Sequence, residues 1–185
     1  MYKKIRNILP KKTYEKVNNE VWSFNFPWYY LCNSAYDNFP FDNNQNKTFS
    51  FHHTTMRDRD SNSWFNEPTL EIGNIMKKKF KLNNYEIIRL RWGMTTSSNE
   101  DIKNNAHIDS PDKHKVILFY LNDSDGPTCF YKDEHNDIIG ENMPEKNSAI
   151  LFEGDQYHSS SRPIKYDRRI VLNINLVEIQ NEKQN

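Results

Sequence analysis

The sequence contains little that would staple or tether it. Two cysteines, Cys32 and Cys129, in 185 residues are too few and too far apart for a disulfide framework or a zinc module. No apolar run approaches the roughly 18 residues of a membrane span. The opening residues, MYKKIRNILPKK, lack the apolar stretch of a secretory leader, so the expected location is cytoplasmic, in the host's cytoplasm if the source is viral. Neither charge sign dominates: 25 Lys and Arg face 25 Asp and Glu. That balance provides no broad cationic surface, which disfavours nucleic acid as a partner and gives no polybasic membrane anchor. Glycine is scarce, with 5, whereas there are 11 Phe, 10 Tyr and 4 Trp. So much bulky side chain marks a globular chain rather than a disordered one. No repeat or linker divides it, and one domain over 1–185, long enough to bury a core unaided, is expected.

The composition shifts near residue 81. Before it, a polar helix is expected over 13–22 with Thr13 as cap, then strand-like aromatic runs over 28–32 and 48–54, with a loop over 37–47 between them. Pro68 opens a helix to residue 80 whose apolar stripe is Ile72, Ile75, Met76 and Phe80. From 84 onward the chain reads as short strands: 85–94, 106–109, 115–121, 128–132, 148–152, 157–160 and 169–177. This pattern predicts a mainly β (α+β) fold, with a two-sheet jelly-roll core over 84–178, helical and strand cover over 1–83 and a tail over 179–185.

The chemistry concentrates in a few residues. His107-Ile108-Asp109 on an extended strand projects an imidazole and a carboxylate from one face. His158, 49 residues after Asp109, can supply a third ligand from a strand across the barrel. Two imidazoles and one carboxylate form the facial triad of non-haem Fe(II) oxygenases. Along 168–176, alternation sends Ile170, Leu172, Ile174 and Leu176 to one face, suited to the helical cover. Arg169, Val171, Asn173 and Asn175 take the other, which reads as a polar pocket. A buried Arg169 needs an anion, and its planar fork matches a carboxylate; Arg168 has the opposite parity unless a bulge exchanges the two. The Tyr120 hydroxyl also needs a partner, which the same carboxylate would provide. His114 and His135, in polar loop contexts, are expected in solvent, and Cys129 in the core. The polar segment 95–105 reads as a mobile lid or as a surface loop.

In this order, the motifs His107-Ile108-Asp109, Phe119-Tyr120-Leu121-Asn122, Gly154-Asp155-Gln156-Tyr157-His158 and Arg169-Ile170-Val171-Leu172-Asn173 resemble the Fe(II)/2-oxoglutarate-dependent dioxygenases, closest to small prolyl-hydroxylase-type enzymes of bacteria and phages. The resemblance covers about half the chain. It implies a double-stranded β-helix (jelly roll, cupin-like) with N-terminal helices over one sheet, and Fe(II) on His107, Asp109 and His158. It further implies 2-oxoglutarate chelating the iron with its far carboxylate on Arg169 and Tyr120, O2 as oxidant, and ascorbate as a candidate reductant. By the same resemblance Trp92, Arg91 and Asn173 are candidate pocket-lining residues. The implied activity is hydroxylation of an unactivated C–H bond, foremost of a peptidyl, prolyl-type substrate, with release of succinate and CO2. Alternatives are the same chemistry on a free small molecule or a nucleobase, a cupin-type metalloenzyme without 2-oxoglutarate, and a non-catalytic jelly-roll binding module. A protein, peptide or small-molecule partner is expected; the oligomeric state is not set by the sequence.

Overall fold

Alternation along the last long strand organises the molecule. The computed structural model describes residues 2–32, 49–133 and 137–180; the expected loop over 37–47, the tail beyond 180 and His135 lie outside the described residues. The elements are β1 (Lys3–Arg6), α1 (Lys11–Val21), β2 (Tyr29–Leu31), β3 (Ser50–Arg57), β4 (Asp60–Ser61), α2 (Asn66–Lys79), β5 (Tyr85–Thr96), β6 (Lys115–Tyr120), β7 (Thr128–Tyr131), β8 (Ile138–Asn142), β9 (Ser148–Glu153), β10 (His158–Ser160) and β11 (Arg168–Glu178). Among the described residues, β1-β9-β6-β11-β5-β3-β2 form one antiparallel sheet with β4 added beside β3, and β10-β7-β8 form a second. This is a mainly β jelly-roll architecture with two helices on one face of the large sheet.

Two cores follow from the parity of the strands. Ile170, Leu172, Ile174 and Leu176 of β11 join Leu90 and Trp92 of β5 and Ile117 and Phe119 of β6 against Ile72 and Met76 of α2 and Val17 and Val21 of α1. This is the helical cover that the alternation predicts, with Ile75 and Phe80 completing the stripe on α2. On the opposite face, Val116, Leu118, Tyr120, Ile150, Phe152 and Val171 meet Phe130 of the small sheet, so the two sheets close on each other.

The structure departs from the sequence reading at element starts. Helix α1 begins two residues earlier than expected, with Pro10 rather than Thr13 at its N-cap and no side-chain cap; the fixed φ of proline presets the first turn. Likewise α2 begins at Asn66, and Pro68 lies inside its first turn, where a missing N–H costs nothing. The charged KKIR segment forms edge strand β1 against β9, and β8 pairs with β7; neither has the apolar alternation that marks a strand in sequence. Residues 106–109, expected as a strand, make only a single bridge, between His107 and His158. No helix among the described residues is long and apolar enough to cross a membrane.

Candidate metal centre

The bridge at His107 matters more than a strand would. Its N–H donates to the His158 carbonyl at 3.0 Å, and the His158 N–H donates back at 2.9 Å. These two reciprocal bonds fix the backbones side by side and bring the imidazole centroids to 4.8 Å. Asp109, two residues on, turns its carboxylate to the same point, and one ligand atom from each of His107, Asp109 and His158 lies within 4.8 Å of the others.

Neighbouring groups orient all three. His107 Nδ1 lies 3.0 Å from the Asn105 carbonyl and His158 Nδ1 lies 3.0 Å from the Gln156 carbonyl. A carbonyl only accepts, so both Nδ1 atoms carry the proton, which leaves both Nε2 lone pairs for a metal. Asp109 Oδ2 accepts 2.8 Å bonds from the side-chain amides of Asn173 and of Asn175. Burial works to raise the Asp109 pKa. The charge of protonated His158, that of Arg89 and the two amide donors outweigh it, holding the carboxyl well below its usual range. Burial pushes the His158 pKa down to about 4, against the pull of Asp109, so this imidazole is neutral and free to ligate at neutral pH. Nitrogen, nitrogen and carboxylate oxygen at one point fit a divalent transition metal with positions left open.

The same cavity, about 90 Å³, is lined by Arg89, Arg91, Thr128, Arg169, Val171 and Asn173 besides the triad. Arg169 is 3% exposed and burial lowers its pKa, yet a guanidinium stays charged in proteins. Its Nη2 donates to Thr128 Oγ1 at 2.7 Å, while its Nε is buried without a partner. It also lies against Tyr120, whose ring centroid is 5.6 Å from the guanidinium carbon; a buried cation with only neutral neighbours among the described residues is costly, and an entering carboxylate would complete it. Arg168 instead places its guanidinium over the Trp22 ring, outside the cavity.

One expected pocket residue is displaced. Trp92 does not line the cavity. It is fully buried among the helices, where Nε1 donates to Thr69 Oγ1 at 3.1 Å, because it shares its face of β5 with Leu90. The Tyr120 hydroxyl bonds Thr128 Oγ1 at 2.7 Å, the same atom that accepts from Arg169, and the Arg169 guanidinium lies against the Tyr120 ring, so the structure brings these two residues together. Arg91 and Asn173 do line the cavity. His114, expected in solvent, is 4% exposed: its Nδ1 bonds the Asp112 carbonyl at 2.6 Å and its ring lies flat on Gly154, filling the space of a Cβ. Cys129 is in the core as expected. Segment 95–105 is held by bonds from Ser97 to Asp167, Asn104 to Ser160 and Arg162 to Ile102, which favours the surface-loop reading. Thr128, Asn175, Arg89 and His52 complete the site. Parity along 168–176 puts Asn175 on the pocket face, and two-residue spacing sets Arg89 beside Arg91, but nothing local marks Thr128 or His52.

No family model matches the sequence, and no curated protein does. Solved structures do. An oxidoreductase of the 2OG-Fe(II) oxygenase family from Burkholderia pseudomallei superposes with a TM-score of 0.67 at 13% identity, over 98% of this chain and 88% of that one. The fold is that of the 2OG-Fe(II) oxygenases. A Pseudomonas putida prolyl-4-hydroxylase matches at TM-score 0.58 and 9% identity, over 97% and 93% of the two chains. HygX from Streptomyces hygroscopicus, solved with nickel, 2-oxoglutarate and hygromycin B bound, matches at TM-score 0.62 and 7% identity, over 96% and 82%. In this 2OG-Fe(II) oxygenase fold, the triad occupies the mouth between the two sheets and Arg169 the start of β11.

Proposed function

We propose that the chain is an Fe(II)- and 2-oxoglutarate-dependent dioxygenase that hydroxylates an unactivated C–H bond of a peptidyl, prolyl-type substrate. One observation carries the reading: the triad of His107, Asp109 and His158 within 4.8 Å shares a cavity with a buried Arg169 that lacks an anionic partner among the described residues. The triad would hold Fe(II). Arg169, steadied by Thr128 with Tyr120 behind it, would grip the far carboxylate of 2-oxoglutarate. Bound together, Fe(II) and 2-oxoglutarate let O2 be divided between two products, one oxygen atom entering the C–H bond and the other entering succinate as CO2 leaves.

The residues of the chain do the holding. Asn173 and Asn175 keep Asp109 ionised and aimed, the Asn105 and Gln156 carbonyls set the two histidine tautomers, and the apolar residues between the sheets keep bulk water from the centre. A peptidyl substrate is favoured by a groove of about 450 Å³ lined by Tyr29, Tyr30 and Trp64, which shares His52 and Arg91 with the cavity. Aromatic-lined grooves suit extended, proline-containing peptides. A second reading keeps the chemistry and takes a free small molecule, as HygX was solved with hygromycin B. Both readings are tested by incubating the protein with Fe(II), 2-oxoglutarate and ascorbate, alone and with proline peptides or small-molecule panels. Expected are succinate release, its loss in His107→Ala and Asp109→Ala, and a product heavier by one oxygen atom. Succinate no higher than in a metal-free control overturns the assignment.

A further inference from the structure

The wall that β5 and β3 contribute to the cavity is cationic beyond what the metal and co-substrate use. Arg89, Arg91 and Gly93 share the cavity face of β5, and their partners on β3 are Arg57, Thr54 and His52. Arg57 is thus directly opposite Arg89. Asp109 is the single carboxylate among the described lining residues, against the guanidinium groups of Arg89 and Arg169. With Asp109 on the metal and Arg169 on 2-oxoglutarate, the dication and the dicarboxylate cancel. Arg89 is then left facing a metal site with no counter-charge assigned to it. Its Nε is buried without a hydrogen-bond partner, as is Nδ1 of His52, whose Nε2 bonds Ser50 Oγ at 2.6 Å. Burial, reinforced by Arg91 and Arg89, pushes the His52 pKa down, so this ring is neutral and adds no charge of its own.

Position separates Arg89 and Arg91 from Arg169. The cross-strand partner of Arg169 is Thr95, whereas Arg91 and Arg89 pair with Asn173 and Asn175, the residues that hold Asp109. At roughly 3.3 Å per residue, Arg91 and Arg89 stand about 13 and 20 Å along β5 from Thr95. Arg169 therefore serves one end of the cavity and Arg89 the other, beside the metal.

We propose that the substrate carries an anionic group, a carboxylate or a phosphate, that docks on Arg89, with Arg91 alongside, and so brings the neighbouring C–H bond to the metal. The proposal rests on the dioxygenase reading and names the substrate class of that same site. A guanidinium fork meets either anion bidentately.

The test uses the whole chain loaded with Zn(II) and 2-oxoglutarate, the loading verified by native mass spectrometry. It is titrated calorimetrically with inorganic phosphate and, separately, acetate at constant ionic strength. Saturable binding is expected, weakened at least tenfold by Arg89→Gln and less by the charge-retaining Arg89→Lys; the preferred anion identifies the substrate's group. Absence of binding to the loaded wild type, equal binding to both variants, or binding only when 2-oxoglutarate is omitted overturns the proposal; in the last case the anion merely takes the place of the co-substrate on Arg169. Failure of the wild type to retain metal and 2-oxoglutarate overturns the dioxygenase reading itself, a failure visible in the mass spectrum before any anion is added. A second readout compares matched compounds: proline peptides flanked by Glu or by Gln, and small acids or their amides. Stimulation of succinate release by the acidic member only is expected, the responding series telling peptide from free molecule, and equal stimulation by the neutral member overturns the proposal.

Discussion

Substituting Gly154 by alanine tests how His158, the third candidate metal ligand, is held. A Cβ at this position would overlap the face of the His114 ring, and the ring has little freedom to leave. It is buried, its Nδ1 is bonded to the Asp112 carbonyl, and the Gly154 N–H itself donates to the His114 carbonyl at 2.8 Å. Forcing a methyl group into a filled site costs about 1–3 kcal/mol, and swinging the ring out forfeits a hydrogen bond worth about 0.5–1.5 kcal/mol. Gly154→Ala should therefore destabilise the metal-free protein by about 2–4 kcal/mol. Because the turn at Gly154 leads directly to His158, divalent metal affinity should also fall, by about 10- to 100-fold as for other changes that disturb ligand orientation. The assay is a double-mutant cycle by urea denaturation with His114→Ala. Removing the ring opens the space, so the double variant should be no less stable than His114→Ala alone, a coupling of about 2 kcal/mol or more. Strictly additive costs would refute the reasoning, since the backbone would then be accommodating the methyl group without reference to the ring.

Three further outcomes follow from the geometry. Asn173→Ala and Asn175→Ala each remove one of the two amide donors to Asp109 Oδ2, and each should weaken Zn(II) or Fe(II) binding about 10- to 100-fold in equilibrium dialysis. Burial depresses the folded-state pKa of His158 from 6.5 to about 4. Its contribution to the metal-free protein is therefore fully present above pH 6.5 and lost as pH falls towards 4, on the order of 3 kcal/mol in all; thermal unfolding across that window should be flatter in His158→Gln. Trp92→Phe deletes the bond to Thr69 and should cost about 0.5–1.5 kcal/mol in denaturant unfolding while leaving metal affinity unchanged, because the ring lies on the helix side of β5.

What could be read locally depended on period. On β11, two-residue alternation assigned Ile170, Leu172, Ile174 and Leu176 to the helices and Arg169 and Asn173 to the cavity, because successive side chains in a strand must point to opposite faces. The same rule places Trp92 on the face of β5 opposite Arg91, with Leu90, and that face packs on the helices, so the likeness to a family that set Trp92 in the pocket ran against the parity of its strand. Edge strand β1 was illegible because KKIR carries no apolar alternation; its partner β9, more than 140 residues on in sequence, supplies the pairing.

The order of residues by itself determined the candidate ligands, since His107 and Asp109 are joined by a two-residue spacing that any extended backbone converts into a shared direction. It also determined the face on which Arg169 lies. Only the tertiary structure decided that a single backbone bridge sets His158 against His107, that Thr128 bonds the Tyr120 hydroxyl, and that Arg89 lies in one cavity with Asp109. Those contacts join residues 8 to 51 positions apart, and no local propensity specifies them. They arise because two sheets close over one apolar core and leave their polar side chains a common space.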